Sequence, residues 1–169
     1  MDINMIIQEL EKGLSVISAL VGGLTTEEAR IKPDADNWSA LEVICHLVDE
    51  EREDFRMHIT QTLSDPQPQW HAIDPEGWVS DRHYQTKSWE DKVSEFKAER
   101  RKTLRWLSSQ KSKDWIIQIE APFGRISAGD LLAAWVMHDN LHIRQLIELR
   151  HTLIQMKSAP FITRYAGEW

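Results

Sequence analysis

The chain has 169 residues, which suffices for one compact domain over residues 1–169 and leaves too little for two domains with separate cores. Its 27 acidic residues exceed its 20 Lys and Arg residues, and the resulting formal net charge of −7 repels phosphate backbones, so nucleic acid is not an expected partner. Only 7 Gly and 6 Pro are present, which disfavours a sandwich or barrel of many short strands.

The first half of the chain predicts two long helices. Apolar residues recur at three- and four-residue steps from Ile3 to Val21, which is typical of one buried helix face. A Thr-x-x-Glu capping box at residues 25–28 predicts a short helical connector. A second capping box at residues 39–42 begins a helix that is expected to continue to Asp65.

Residues 65–87 show no helical period and contain two Trp, two His and several Pro residues. Such a stretch is too aromatic for a disordered linker, so it predicts a structured loop, and long structured loops are often functional. His71 and His83 lie in this loop and are candidates for lining a pocket; ordinary loop packing is the alternative.

The second half predicts two further long helices. Ser88 is a candidate N-cap for a third helix that ends near Ser109, and Ser127 for a fourth that ends near His151. Between them, residues 115–126 form either a small hairpin or an extended crossing. Four long helices predict an all-α four-helix bundle, with or without a small hairpin before the last long helix.

Two histidines lie at the centre of the apolar face of the fourth helix. His138 and His142 are four residues apart, so both imidazoles can offer a lone pair to one metal ion. The alternative is a pair of core histidines, each hydrogen-bonded to a neighbour. Cys45 is the only cysteine, and its place in an apolar face predicts a buried, inert thiol, so a metal site has to use His and carboxylate ligands.

The best candidate for a third ligand is His46 on the second helix. It lies at the shoulder of that helix's apolar face, which fits an open site near the bundle edge. Asp49 and Glu50 follow closely and are candidates for orienting an imidazole, although acidic residues in such places are often simply solvated.

Three other groups are expected to face solvent. His58 and His151 lie outside the apolar faces of their helices and are expected at the surface. The basic run of residues 100–102 is expected to form a solvated helix face.

Together these motifs resemble the DinB-like superfamily, and the resemblance spans nearly the whole chain. It rests on Asn37-Trp38-Ser39, Glu42, His46-Leu47-Val48-Asp49-Glu50 and, some ninety residues later, His138-Asp139-Asn140-Leu141-His142-Ile143-Arg144-Gln145-Leu146. That superfamily includes YfiT-like metal hydrolases and thiol S-transferases that use bacillithiol or mycothiol. The resemblance implies a four-helix bundle with His46, His138 and His142 as metal ligands.

The expected function is that of a metal-dependent enzyme with a three-histidine divalent metal site, zinc or nickel being the ions that best suit imidazole ligands. Thiol S-transferase chemistry with a low-molecular-weight thiol and hydrolysis of a small molecule both remain open, and no catalytic residue is assigned. The alternative is a non-catalytic bundle that binds a metal or a small molecule. The short apolar runs and the lack of a signal peptide predict a cytoplasmic protein without a membrane partner. A homodimer is expected, because closed two-fold dimers are the commonest protein assembly.

Overall fold

The computed structural model describes residues 2–169 and is mainly helical. Its elements in chain order are α1 (Ile3–Val21), α2 (Thr26–Ala29), α3 (Ala40–Asp49), a π-helical turn (Glu50–Asp54), α4 (Phe55–Thr62), α5 (Gly77–Asp81), a 3-10 turn (Tyr84–Thr86), α6 (Trp89–Ser109), β1 (Gln118–Ala121), β2 (Gly124–Ser127), α7 (Ala128–Ser158) and a second 3-10 turn (Arg164–Ala166).

The helix starts follow the capping residues that the sequence presents. Thr25, Ser39 and Ser127 each accept a hydrogen bond from the third residue of the following helix, and the acidic side chain at that third position accepts from the cap backbone. Each reciprocal pair satisfies two backbone donors that a helix N-terminus otherwise leaves free. All three predicted starts are thereby confirmed.

The second long helix differs from the expectation of one regular helix. α3, the π turn and α4 form a continuous rod in which the turn Glu50–Asp54 interrupts the α-helical hydrogen bonding. A π turn adds one residue to a helical turn and often marks a functional site. Here it brings two consecutive acidic residues inside, because Glu50 is 2% exposed and Glu51 is fully buried.

The stretch between α4 and α6 is ordered, as expected, and holds α5 and a 3-10 turn. Before the last helix, β1 and β2 form an antiparallel hairpin in which Ile119 pairs with Ile126. The hairpin interpretation is therefore confirmed over the extended crossing. α7 continues seven residues past the predicted end at His151, since Leu153 remains buried and extends the apolar face.

The long helices pack as a four-helix bundle, as predicted. α1 packs against both α6 and α7, and the α3–α4 rod packs against the same two helices. α1 and the rod therefore stand at opposite corners. Within residues 2–169 no helix is both long and apolar enough to cross a membrane.

Two apolar clusters fill the bundle, one toward each end. One contains Ile17, Ile44, Phe96 and Leu146, and the other contains Leu10, Ile59, Leu107 and Trp135. Along each helix the residues between the two clusters are polar or small: Gly13 on α1, Glu50 and Glu51 on the rod, Arg100 and Thr103 on α6, and Asp139 and His142 on α7. We refer to this level of the bundle as the polar layer.

Candidate metal centre

Three histidines from the rod and α7 meet at the polar layer. The Nε2 atom of His138 lies 3.1 Å from Nε2 of His46 and 3.2 Å from Nε2 of His142. One ring nitrogen from each residue lies within 4.8 Å of the other two. The spacing of four residues places two of these imidazoles one turn apart on α7, and the side-by-side packing of α3 and α7 supplies the third.

Gln145 defines which nitrogen of His142 carries the proton. Its side-chain oxygen can only accept, so the contact of 2.9 Å with Nδ1 of His142 requires Nδ1–H as the donor. Nε2 of His142 then carries a lone pair that points at the other two imidazoles. An acceptor that binds the far N–H of a ligating histidine and so fixes its tautomer is a common arrangement in metal sites.

Hydrogen bonds among the three imidazoles do not satisfy all of their ring nitrogens. One proton on Nε2 of His138 cannot serve both neighbouring Nε2 atoms at full strength, and Nδ1 of His46 and of His138 are buried without a hydrogen-bond partner among residues 2–169. One cation bound by three lone pairs satisfies all three Nε2 atoms at once. The donor set therefore fits a metal ion better than it fits a hydrogen-bonded core.

Burial holds the imidazoles in the neutral form that metal binding requires. It lowers the pKa of His46 to about 2 and that of His138 to about 3, and in both cases the charge that a neighbouring imidazole would carry adds to the effect. Burial also lowers the pKa of His142, against the opposing hydrogen bond to Gln145. All three shifts favour the neutral imidazoles whose lone pairs a metal ion requires.

The spacing of the nitrogens also suits a single ion. Three nitrogens at bonds of ~2.0–2.1 Å lie about 3.3 Å apart at tetrahedral angles and about 2.9 Å apart at octahedral ones. The observed 3.1 and 3.2 Å fall between these values. His138 has the most exposed side chain of the cluster at 20%, so the open side of the site lies beside it.

Glu50 is the acidic group nearest the cluster. Its Oε2 lies 3.9 Å from Nε2 of His138 and its Oε1 lies 3.8 Å from Nδ1 of His46, and Oε1 has no hydrogen-bond partner in the described chain. Burial, with a hydrogen bond to Asp54 and its charge, raises the pKa of Glu50 to about 10. The π turn thus presents a buried carboxyl group to the imidazoles.

Comparison with known proteins agrees with this arrangement. The sequence profile of the DinB superfamily matches residues 9–146, which include all three histidines. The chain belongs to the DinB superfamily. No curated protein matches it.

A solved DinB-like structure shares the fold. YfiT from Bacillus subtilis, described as a probable metal-dependent hydrolase with an unusual four-helix bundle topology, superposes with a TM-score of 0.78 and 17% sequence identity. The match covers 89% of this chain and 87% of YfiT. The resemblance to the DinB-like superfamily is confirmed, and a buried three-histidine cluster in this fold fits a metal-dependent enzyme.

The remaining candidate residues of this DinB superfamily member take different positions. The carboxylate of Asp49 accepts a hydrogen bond from Tyr84 and forms an ion pair with Arg82, so it holds the loop after α5 against α3 and makes no hydrogen bond or ion pair with an imidazole among the described side chains. His71 and His83 are exposed, and neither side chain makes a hydrogen bond within residues 2–169. Their role as pocket lining stays a prediction.

Aromatic side chains form a wall around the histidines. The Trp38 ring lies 4.9 Å from the His46 ring and is parallel to the His142 ring at 6.2 Å between centroids. Phe55 lies 5.2 Å from His138. Low-polarity walls of this kind exclude water and strengthen electrostatic interactions at the site.

Of the two histidines expected at the surface, one is fully buried and the other is half-buried. His58 is fully buried, where it contacts Asp54 through Nδ1 at 2.7 Å and the backbone oxygen of His71 through Nε2 at 2.8 Å. It stacks on Trp70 at 3.8 Å, so it anchors the aromatic loop to α4. His151 is half-buried and stacks on Trp169.

The basic run on α6 is the other correction. Arg101 and Lys102 face solvent as expected, but Arg100 is fully buried in the polar layer. A signal was present in the sequence, since Arg100 follows Phe96 by four residues and precedes Leu107 by seven, and therefore lies on the apolar face of α6. The sequence patterns did not identify Glu51 and Asp139 as the buried partners of Arg100.

Proposed function

We propose that this protein is a metal-dependent hydrolase of a small molecule, with a divalent ion held by His46, His138 and His142. The convergence of three neutral Nε2 atoms, with Gln145 fixing the proton of His142 on the far nitrogen, carries the proposal. Zinc or nickel is the expected ion, because both accept imidazole nitrogen and neither requires a thiolate. The description of YfiT as a probable metal-dependent hydrolase supports the same chemistry.

His46, His138 and His142 would hold an ion that keeps its full charge and open positions, and that ion would supply Lewis-acid chemistry for activating a water or polarising a carbonyl or phosphoryl group. Gln145 keeps the His142 lone pair aimed at the site. Trp38 covers the two most buried imidazoles and excludes water from that side. The Glu50 carboxyl group lies within 4 Å of His138 Nε2 and burial raises its pKa, so it is placed to exchange a proton with a substrate at the open side.

Thiol transfer is the second candidate, since the open side beside His138 can equally take a small thiol as its thiolate. The resemblance to thiol S-transferases of the superfamily supports this candidate. A low-molecular-weight thiol would then be the co-substrate.

Metal content tests the ligand assignment directly. The purified protein should contain about one divalent ion per chain, and His46→Ala, His138→Ala and His142→Ala should each lose tight binding because two imidazoles hold an ion poorly. His83→Asn is the matched control, because His83 is exposed and asparagine tolerates its left-handed backbone conformation. Full metal occupancy in any of the three alanine variants would contradict the assignment.

Turnover separates an enzyme from a binding protein. The metal-loaded protein is assayed with ester, amide and phosphoester substrates, and with an electrophile plus a small thiol, before and after chelation. Hydrolysis that disappears on chelation while circular dichroism retains the helix signal supports the hydrolase; turnover that requires the thiol supports the second candidate. No turnover with full metal occupancy would favour a non-catalytic metal-binding bundle.

A further inference from the structure

Arg100 connects all four long helices at the polar layer. Its guanidinium group donates to Asp139 on α7 through two nitrogens, at 2.5 and 2.7 Å, and to the backbone oxygen of Leu10 on α1 at 3.1 Å. Its Nε donates to Glu51 in the π turn. Because Arg100 itself lies on α6, one fully buried side chain contacts every corner of the bundle.

The two acidic partners of Arg100 are sequence neighbours of the metal-site residues. Asp139 directly follows His138, and Glu51 directly follows Glu50. Thr103 donates a further hydrogen bond of 2.5 Å to Glu51, which leaves this carboxylate little freedom. The position of the rod relative to α7, which sets how far His46 stands from the two histidines of α7, is therefore constrained from behind by Arg100.

We propose that Arg100 is a positioning residue for the metal centre, whose fork of hydrogen bonds to Asp139 and Glu51 holds the rod and α7 at the separation that one ion bridges. The inference rests on the proposed metal site. Arginine suits this task because its planar group binds several carboxylate oxygens in fixed directions, which a lysine ammonium does not.

A positioning role and a purely electrostatic role predict opposite effects. The positive charge of Arg100 repels a divalent cation, so if only its field mattered, removing it would tighten metal binding. If position matters, removing it leaves Glu51 and Asp139 unpaired, and these carboxylates repel each other and push the rod and α7 apart. Metal binding then weakens although the local charge has become more negative.

The test measures metal affinity by competition with a chromophoric chelator in the full-length protein. Arg100→Met should bind Zn²⁺ about 10–100-fold more weakly than wild type, the range found when groups behind metal ligands are changed. Arg100→Lys keeps the charge but not the fork, and should weaken binding about 10-fold. If Arg100→Met does not fold, the metal affinity of Arg100→Lys still tests the proposal. The visible spectrum of the Co²⁺-loaded Arg100→Lys variant should change in intensity, which reports altered ligand geometry.

Arg30→Met is the matched control for a general loss of stability. Arg30 is half-buried and donates to the backbone oxygens of Thr26, Gln85 and Lys87, away from the polar layer, so this variant should lower the urea midpoint without changing metal affinity. Wild-type affinity in Arg100→Lys, tighter binding in Arg100→Met, or equal weakening in Arg30→Met would each overturn the inference. A wild-type protein that binds no divalent ion would instead overturn the proposed function.

Discussion

Adding one methyl group at Gly13 should destabilise the protein, against the usual preference of helices for alanine. Gly13 is buried in the middle of α1, where its backbone lies directly against the polar layer. A Cβ atom built there would stand 2.6 Å from Oδ2 of Asp139 and 3.5 Å from Nη1 of Arg100. The substitution Gly13→Ala therefore places a methyl group against a carboxylate that is already fixed by two hydrogen bonds.

The magnitude follows from two opposing contributions. Alanine in a helix interior is worth about 1 kcal/mol over glycine. Ordinary contact begins near 3.4 Å, so Asp139 or α1 must move by about 0.8 Å, enough to break one of the bonds from Arg100. A charge-assisted hydrogen bond contributes about 1.5–3 kcal/mol. The net effect of Gly13→Ala is a loss of about 0.5–2 kcal/mol in the free energy of unfolding.

Urea unfolding of wild type, Gly13→Ala, Asp139→Ala and the double variant measures this effect. In the Asp139→Ala background the obstructing oxygen is gone, so adding Gly13→Ala should now stabilise by about 1 kcal/mol. The change of sign is the specific expectation. If Gly13→Ala is as stable as wild type, or if its cost is the same in both backgrounds, the contact between α1 and Asp139 is not what restricts this position.

Three further outcomes are expected. Cys45 is fully buried and burial raises the pKa of its thiol to about 12, so a thiol reagent should react with it at pH 8 only after unfolding; rapid labelling of the folded protein would contradict this. Burial lowers the pKa of His46 to about 2, whereas the unfolded chain takes up the proton near pH 6.5. The metal-free wild type should therefore lose stability relative to His46→Leu as the pH falls below about 6.5, by up to ~1.4 kcal/mol per pH unit in urea unfolding curves. A constant difference in stability between the two proteins would show that His46 is not held neutral. The exposed apolar side chains Phe161, Tyr165 and Trp169 at the C-terminal end of the chain predict that a second copy covers them, and a monomeric mass in light scattering at micromolar concentration would exclude the homodimer.

The parts of the fold that short sequence patterns encode were predictable. A capping box satisfies its hydrogen bonds within four residues, so the starts at Thr25, Ser39 and Ser127 could be identified without any tertiary information. The pair His138 and His142 was recognisable for the same reason, because a spacing of four residues places both on one helix face. Bringing His46 to this pair required the helix packing, which the resemblance to the DinB-like superfamily supplied.

The polar layer could not be predicted from patterns of this kind. The spacing of Arg100 from Phe96 and Leu107 places it on the apolar face of α6, but Glu51 belongs to a run of charged residues that is typical of a solvated helix face, and its pairing with Arg100 joins residues 49 positions apart. The π turn deepens the difficulty, since its extra residue changes the phase of the apolar face between α3 and α4. The spacing of apolar residues therefore no longer indicates which side chains are buried at the π turn, where Glu50 lies.

Burying charged side chains in the middle of a bundle costs free energy, which indicates that the polar layer serves a role other than stability. Replacing buried ion pairs by well-packed apolar side chains is often neutral or stabilising, so Arg100, Glu51 and Asp139 are a poor device for stability alone. The apolar clusters on both sides, packed around residues such as Ile44 and Leu132, supply the burial that offsets this cost. Because three neutral imidazoles lie at the same level, the charged groups are placed where they can fix the distance between the helices that carry them. The proposed metal centre would explain the energetic cost of the layer, and the metal affinity of the Arg100 variants decides whether that explanation holds.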